Sequence, residues 1–213
     1  MLYSSRWRVS TRIYRAESTL TGLKRTPDNY FDGVAWHPYD LGSQGYANTN
    51  DPSEDTFDIN LWIDANNAVY KVMQENGDGD KEVWFTEFGL TTKSANLTET
   101  TASDTDILRY SVDNKYYKTT KEYEEKQASF VQAYFDAMLS DKMPYVHACH
   151  FFRLYGCTTD YSWNGFTVLY YGIFLEPDET LGRGYYPRAK AYAVQKIYGG
   201  TGDLAKYARW DDI

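Results

Sequence analysis

A carboxylate closing an apolar strand is the first group in this chain with the means to do chemistry. Glu87 lies near the end of Glu82-Val83-Trp84-Phe85-Thr86-Glu87-Phe88-Gly89, a short β-branched and aromatic run. Charged, glycine-rich sequence precedes it and a long polar stretch follows. That pattern reads as a buried strand with the acid at its C-terminal end. A carboxylate there is costly unless it is paired, hydrogen-bonded or open to a cleft. Upstream, the middle of Tyr30-Phe31-Asp32-Gly33-Val34-Ala35-Trp36-His37-Pro38-Tyr39 reads as another short buried strand, which Pro38 ends because it has no N–H to give the ladder. It offers an imidazole and a phenol, His37 and Tyr39. Hydrogen bonds from such neighbours favour the charged form of a carboxylate and hold it as a nucleophile.

The elements that must position these groups alternate along the chain. Residues 9–24 read as a modest helix, ended at Pro27-Asp28-Asn29. After that strand, residues 40–56 are loop. Residues 57–75 form a helix on the spacing of Ile59, Trp62, Ile63, Val69, Val72 and Met73, stopped by Asn76-Gly77. Residues 90–120 are expected to be a long irregular connection. Residues 121–140 form a helix with Gln127, Val131, Tyr134, Phe135 and Met138 on one stripe, and Lys121, Glu122, Glu124, Glu125 and Lys126 solvating its start. A third strand spans Tyr145 to Leu154 and ends in Phe152 and Arg153. An aromatic loop region covers 155–184. The last helix starts near Pro187, a good first-turn residue, and runs to Tyr198, with Ala189, Tyr192, Ala193 and Ile197 facing the core.

Strands alternating with helices imply right-handed crossovers and a parallel sheet. The strand ends then converge on one rim, where parallel α/β barrels place their chemistry. Alternation puts Val83, Phe85 and Glu87 on one face, and likewise Ala35, His37 and Tyr39. Trp163, in the aromatic loop, is a candidate substrate platform, since sugar rings stack on flat apolar surfaces. Glu82, at the opposite end of its strand, should face solvent. His147 and His150 are three apart on a strand and so face opposite sides. The chain has three His in all, and no metal site is expected. Cys149 reads as a core thiol, and Arg153 as the partner of a buried acid or of substrate. Asn96-Leu97-Thr98 is a glycosylation sequon that matters only on an exported chain.

Composition bounds the alternatives. The 213 residues suffice for one domain with a real core. Aromatic residues make up 17% of the chain, which excludes a disordered one. A net charge of −8 argues against a nucleic-acid partner, which needs basic stripes. No apolar run reaches the roughly 18 to 20 residues of a membrane span. Residues 1–25 are Arg-rich, with Glu17 their one acid. This is the composition of a transit peptide or of a basic helix face, and the helix is the reading adopted below. The two cysteines are too few for a disulfide framework.

The segments Phe31-Asp32-Gly33-Val34-Ala35-Trp36-His37-Pro38-Tyr39 and Trp84-Phe85-Thr86-Glu87-Phe88-Gly89 resemble strands six and seven of clan A glycoside hydrolases. Pro187-Arg188-Ala189-Lys190-Ala191-Tyr192-Ala193 resembles the start of their last helix. Those enzymes are (β/α)8 barrels that retain anomeric configuration. The resemblance covers residues 28–198 and implies Glu87 as nucleophile, Tyr39 as its hydrogen-bond partner and His37 as a polar group of the same pocket. The family often has a Trp on strand eight, where this chain has Phe151 and Phe152. Its acid/base glutamate follows an asparagine on strand four, and no Asn-Glu dipeptide occurs here. A full barrel takes about 250 residues. The expectation is therefore an α/β fold: a partial (β/α)8 barrel comprising strands six to eight with their helices. Residues 1–213 would be a single incomplete catalytic domain, with 1–27 as the preceding helix. The expected substrate is a carbohydrate, and no metal or organic cofactor is implied. Two rival expectations are a non-catalytic carbohydrate-binding protein on a degenerate barrel and a complete small α/β domain.

Overall fold

A computed structural model of the chain describes residues 31–38, 58–90, 97–112, 115–155, 162–163, 166–167 and 171–204, with backbone alone at 110, 112, 162–163 and 166–167. The helix expected at 9–24 lies outside these residues. The chain divides into two compact units, Met1–Phe88 with Ala137–His150 and Gly89–Asp136 with Phe151–Ile213.

In the first unit, strand β1 (Gly33–Trp36) leads through helix α1 (Ile59–Glu75) to strand β2 (Glu82–Phe88). Asp58 caps α1 by accepting the Asn60 N–H at 2.9 Å. Gly77, at φ +88°, ends it in a conformation that suits glycine. β1 and β2 pair in parallel, Val34 beside Val83 and Trp36 beside Phe85. Strand β6 (Val146–Phe151) flanks β2 on its other side, giving the order β1-β2-β6. The helical stripe and the strand alternation meet where Trp62 of α1 packs edge-on against Phe85, ring centroids 5.8 Å apart. Trp62, Met73, Val83 and Phe85 are fully or almost fully buried. Each such side chain contributes about 1.5–3 kcal/mol of burial. At the turn after α1, buried Lys81 pairs with buried Asp78 at 3.1 Å and lies over the Phe31 ring. Tyr145 stacks on Tyr70 at 4.1 Å and donates its hydroxyl to Asn67.

The second unit corrects the expectation for 90–120. Strands β3 (Thr98–Thr100), β4 (Arg109–Val112) and β5 (Lys115–Lys118) form an antiparallel sheet in the order β3-β5-β4. Asp104 accepts from Thr100 and Lys118, and these contacts hold its carboxyl well below the ordinary range. Helix α2 (Lys121–Met138) follows, and Val131, Tyr134 and Phe135 are buried on its stripe as expected. Glu124 does not solvate its start: it is 3% exposed, because Arg188 clasps it.

The two-residue strands β7 (Ser162–Trp163) and β8 (Phe166–Thr167) pair with each other, as do β9 (Phe174–Leu175) and β10 (Tyr186–Pro187). A short 3-10 turn (Glu179–Leu181) lies between β9 and β10. Arg109, fully buried, reaches Asp178 and Thr180 at this turn, and buried Arg183 donates to the carbonyls of Ile107, Arg109 and Glu176. Helix α3 (Ala189–Ile197) starts after Pro187, which sits in β10, with Arg188 as its N-cap. Its buried residues are Lys190 and Ala191; of the residues expected to face the core, Ala189, Ala193 and Ile197 are half-buried and Tyr192 is 43% exposed. Hydrogen bonding holds Lys190 inside: its amine donates to the carbonyls of Leu90 and Tyr171, at 3.1 and 2.9 Å. Among the described residues no helix is long and apolar enough to cross a membrane.

Candidate active site

Of the residues singled out in the sequence, the first unit brings together His37 and Glu87. His37 follows the last residue of β1, and Glu87 is the penultimate residue of β2. Because β1 and β2 run parallel, both groups stand at C-terminal strand ends. His37 Nδ1 lies 3.5 Å from Glu87 Oε2, with side chains 50% and 42% exposed. This is an electrostatic contact longer than a full-strength hydrogen bond. It leaves both groups accessible to a ligand.

They do not meet in the way alternation alone suggests. Ala35 lies beside Trp84, and Val34 and Trp36 beside Val83 and Phe85. The strand face of Ala35 is therefore the face of Trp84, opposite that of Val83 and Phe85. Along β2, exposed Glu82 and Trp84 alternate with buried Val83 and Phe85. After Phe85 the alternation lapses: Thr86 and Glu87 are both half-buried and Phe88 is buried. The carboxylate reaches His37 at this lapse, beyond the last β1–β2 rung at Trp36 and Phe85.

Both neighbours of His37 are hydrogen-bonded to α1. The Trp36 indole N–H donates to Asn66 Oδ1 at 2.9 Å, and the Trp62 indole N–H donates to the Pro38 carbonyl at 2.7 Å. The Asn66 amide donates in turn to the Trp62 carbonyl at 2.8 Å. Sequence reasoning took Trp62 as core and passed over Asn66. The available signal was a polar residue on the apolar stripe of α1, four residues after Trp62.

Tyr39 lies outside the described residues. Trp163 lies in β7, and its side chain is not among those described. Glu82 is exposed, as expected, but engaged: it accepts from His147 Nδ1 at 2.9 Å and from the Trp84 indole at 3.0 Å, and the two rings stack 5.1 Å apart. Cys149 is half-buried on β6. In the second unit, burial raises the Glu176 carboxyl above its ordinary value while Arg153 opposes the rise. Among the described residues no group of three or more His, Cys, Asp or Glu side chains is arranged to hold a metal ion.

The chain matches no protein-family model, no curated protein and no solved structure.

Proposed function

We propose that this chain carries the nucleophile-bearing part of a retaining glycoside hydrolase, as strands six to eight of a (β/α)8 barrel with their helices. The observation that supports it is the meeting of Glu87 and His37 at the C-terminal ends of two parallel strands joined by a helix. That is the rim at which such barrels do their chemistry. Glu87 attacks the anomeric carbon of a glycoside and displaces the leaving alcohol. The resulting glycosyl-enzyme is hydrolysed by water, with net retention of configuration. A second carboxyl group, about 5 to 5.5 Å from the nucleophile, protonates the leaving oxygen and then deprotonates the water. Residues 1–213 contain no Asn-Glu dipeptide of the kind that carries this acid/base group in that family. Tyr39 and Trp163 remain the proposed phenol partner and sugar platform.

Covalent trapping tests the reading. The protein is treated with activated 2-deoxy-2-fluoroglycosides, and its peptides are mass-mapped. The glycosyl label falls on Glu87, and Glu87→Gln abolishes both label and turnover while sugar binding persists. Turnover with the label on another residue overturns the assignment. Equal sugar binding by both proteins, with no turnover by either, favours a carbohydrate-binding protein instead.

A further inference from the structure

We infer that Trp62 and Asn66 of α1 are positioning residues that hold the two neighbours of His37, the Pro38 carbonyl and the Trp36 indole, and so keep its imidazole against Glu87. The inference rests on the role proposed for Glu87 and assigns the device that orients its neighbour. The β1–β2 register ends at the pair Trp36 and Phe85, next to His37. Pro38 cannot extend the ladder, having no N–H to donate. The helix adds two holds next to His37. Trp62 grips the Pro38 carbonyl at 2.7 Å on one side of His37, and Asn66 grips the Trp36 indole at 2.9 Å on the other. The two helix residues are one turn apart and are joined by the Asn66 to Trp62 hydrogen bond at 2.8 Å.

The choice of residues points to positioning over packing. Trp62 and Asn66 are 0% and 1% exposed. A buried amide is costly unless its groups are hydrogen-bonded, and here both ends of the Asn66 amide are used. An aliphatic residue would fill the same stripe without that requirement. What the amide adds is direction. Rings at 36 and 62 would pack without their N–H groups, yet each indole N–H is spent within one residue of His37. Precision of this kind matters at a reacting centre, where a displacement of about 1 Å costs on the order of 100-fold in rate.

Nitrogen NMR of the histidine rings tests the inference without needing a substrate. Glu87→Gln defines how the His37 Nδ1 resonance moves when its carboxylate partner is removed. Trp62→Phe and Trp36→Phe each keep an aromatic ring and delete one N–H donor. In both variants the His37 resonance is expected to move in the same sense as in Glu87→Gln. The His147 resonance, with its Glu82 partner untouched, stays in place. Thermal melting shows which variants are folded. If Trp62→Phe does not fold, Trp36→Phe, at a half-buried site, carries the test. Folded variants with an unmoved His37 resonance overturn the inference, as does a Glu87→Gln protein in which His37 does not respond. The covalent-labelling result is independent of these spectra, so a failure of the glycosidase reading is distinguished from a failure of the positioning role.

Discussion

Arg188, the residue that caps α3, clasps Glu124 of α2 through its Nε at 3.0 and 3.1 Å and its Nη2 at 2.6 Å, with both side chains 3% exposed. The guanidinium also donates to the Gly172 carbonyl. Removing one partner strands the other charge in the core. Glu124→Gln or Arg188→Met should each cost about 3–5 kcal/mol. The double replacement Glu124→Leu with Arg188→Met should cost clearly less than the two single changes summed. Urea unfolding of the four proteins measures this, and additive losses contradict it.

Gly89, directly after β2, has no room for a side chain. A Cβ there collides with the Phe152 carbonyl oxygen and lies 3.5 Å from the Tyr171 ring. The obstacle is backbone, which cannot rotate aside as a side chain does. Gly89→Ala should therefore cost about 1–3 kcal/mol, as overpacking does. Gly202→Ala, where the nearest neighbour is the Gln195 amide at 3.8 Å, is the matched control and should be close to neutral. Equal melting temperatures for the two variants contradict the crowding.

Burial holds the Tyr145 phenol well above its ordinary pKa, and charge repulsion from the neighbouring Tyr70 phenol adds to the rise. In the unfolded chain the same phenol ionises near about 10. Between the two values the unfolded state has lost a proton that the folded state keeps. The stabilisation is therefore complete below about pH 10 and declines as pH rises above it. Tyr145→Phe should flatten that alkaline decline, while losing about 1 kcal/mol at neutral pH with the Asn67 hydrogen bond. Unfolding free energies measured from pH 8 to pH 11 check both signs, and an unchanged alkaline slope refutes the assignment.

The parts of the fold that were legible in the sequence have a long repeating pattern. Trp62, Ile63 and Met73 mark α1, and Val131, Tyr134 and Phe135 mark α2, because apolar residues recur there over four or five turns. Strand β2 was legible because Val83, Trp84 and Phe85 form a β-branched and aromatic run between charged, glycine-rich sequence and a long polar stretch. The antiparallel sheet at 98–118 was not. Its strands are three or four residues long and consist of Thr, Tyr, Ser, Lys and other largely polar residues, too short and too polar for alternation to register. The inward face of α3 was misread for a different reason. Hydropathy sends Lys and Arg outward, whereas Lys190 and Arg188 are buried by acceptors that lie far away in sequence. At the candidate site the residue types and strand order gave Glu87 and His37. The contact itself depends on a lapse in alternation that no periodic rule contains.

The charged cluster at the start of α3 has a consequence for how this chain tolerates change over generations. Arg188 depends on Glu124, and Lys190 on the carbonyls of Leu90 and Tyr171. No one of these charges can be exchanged for an oily side chain while its counterpart remains. Viable replacements in this corner must arrive together, so lineages carrying the chain should alter Arg188 and Glu124 in step or leave both alone.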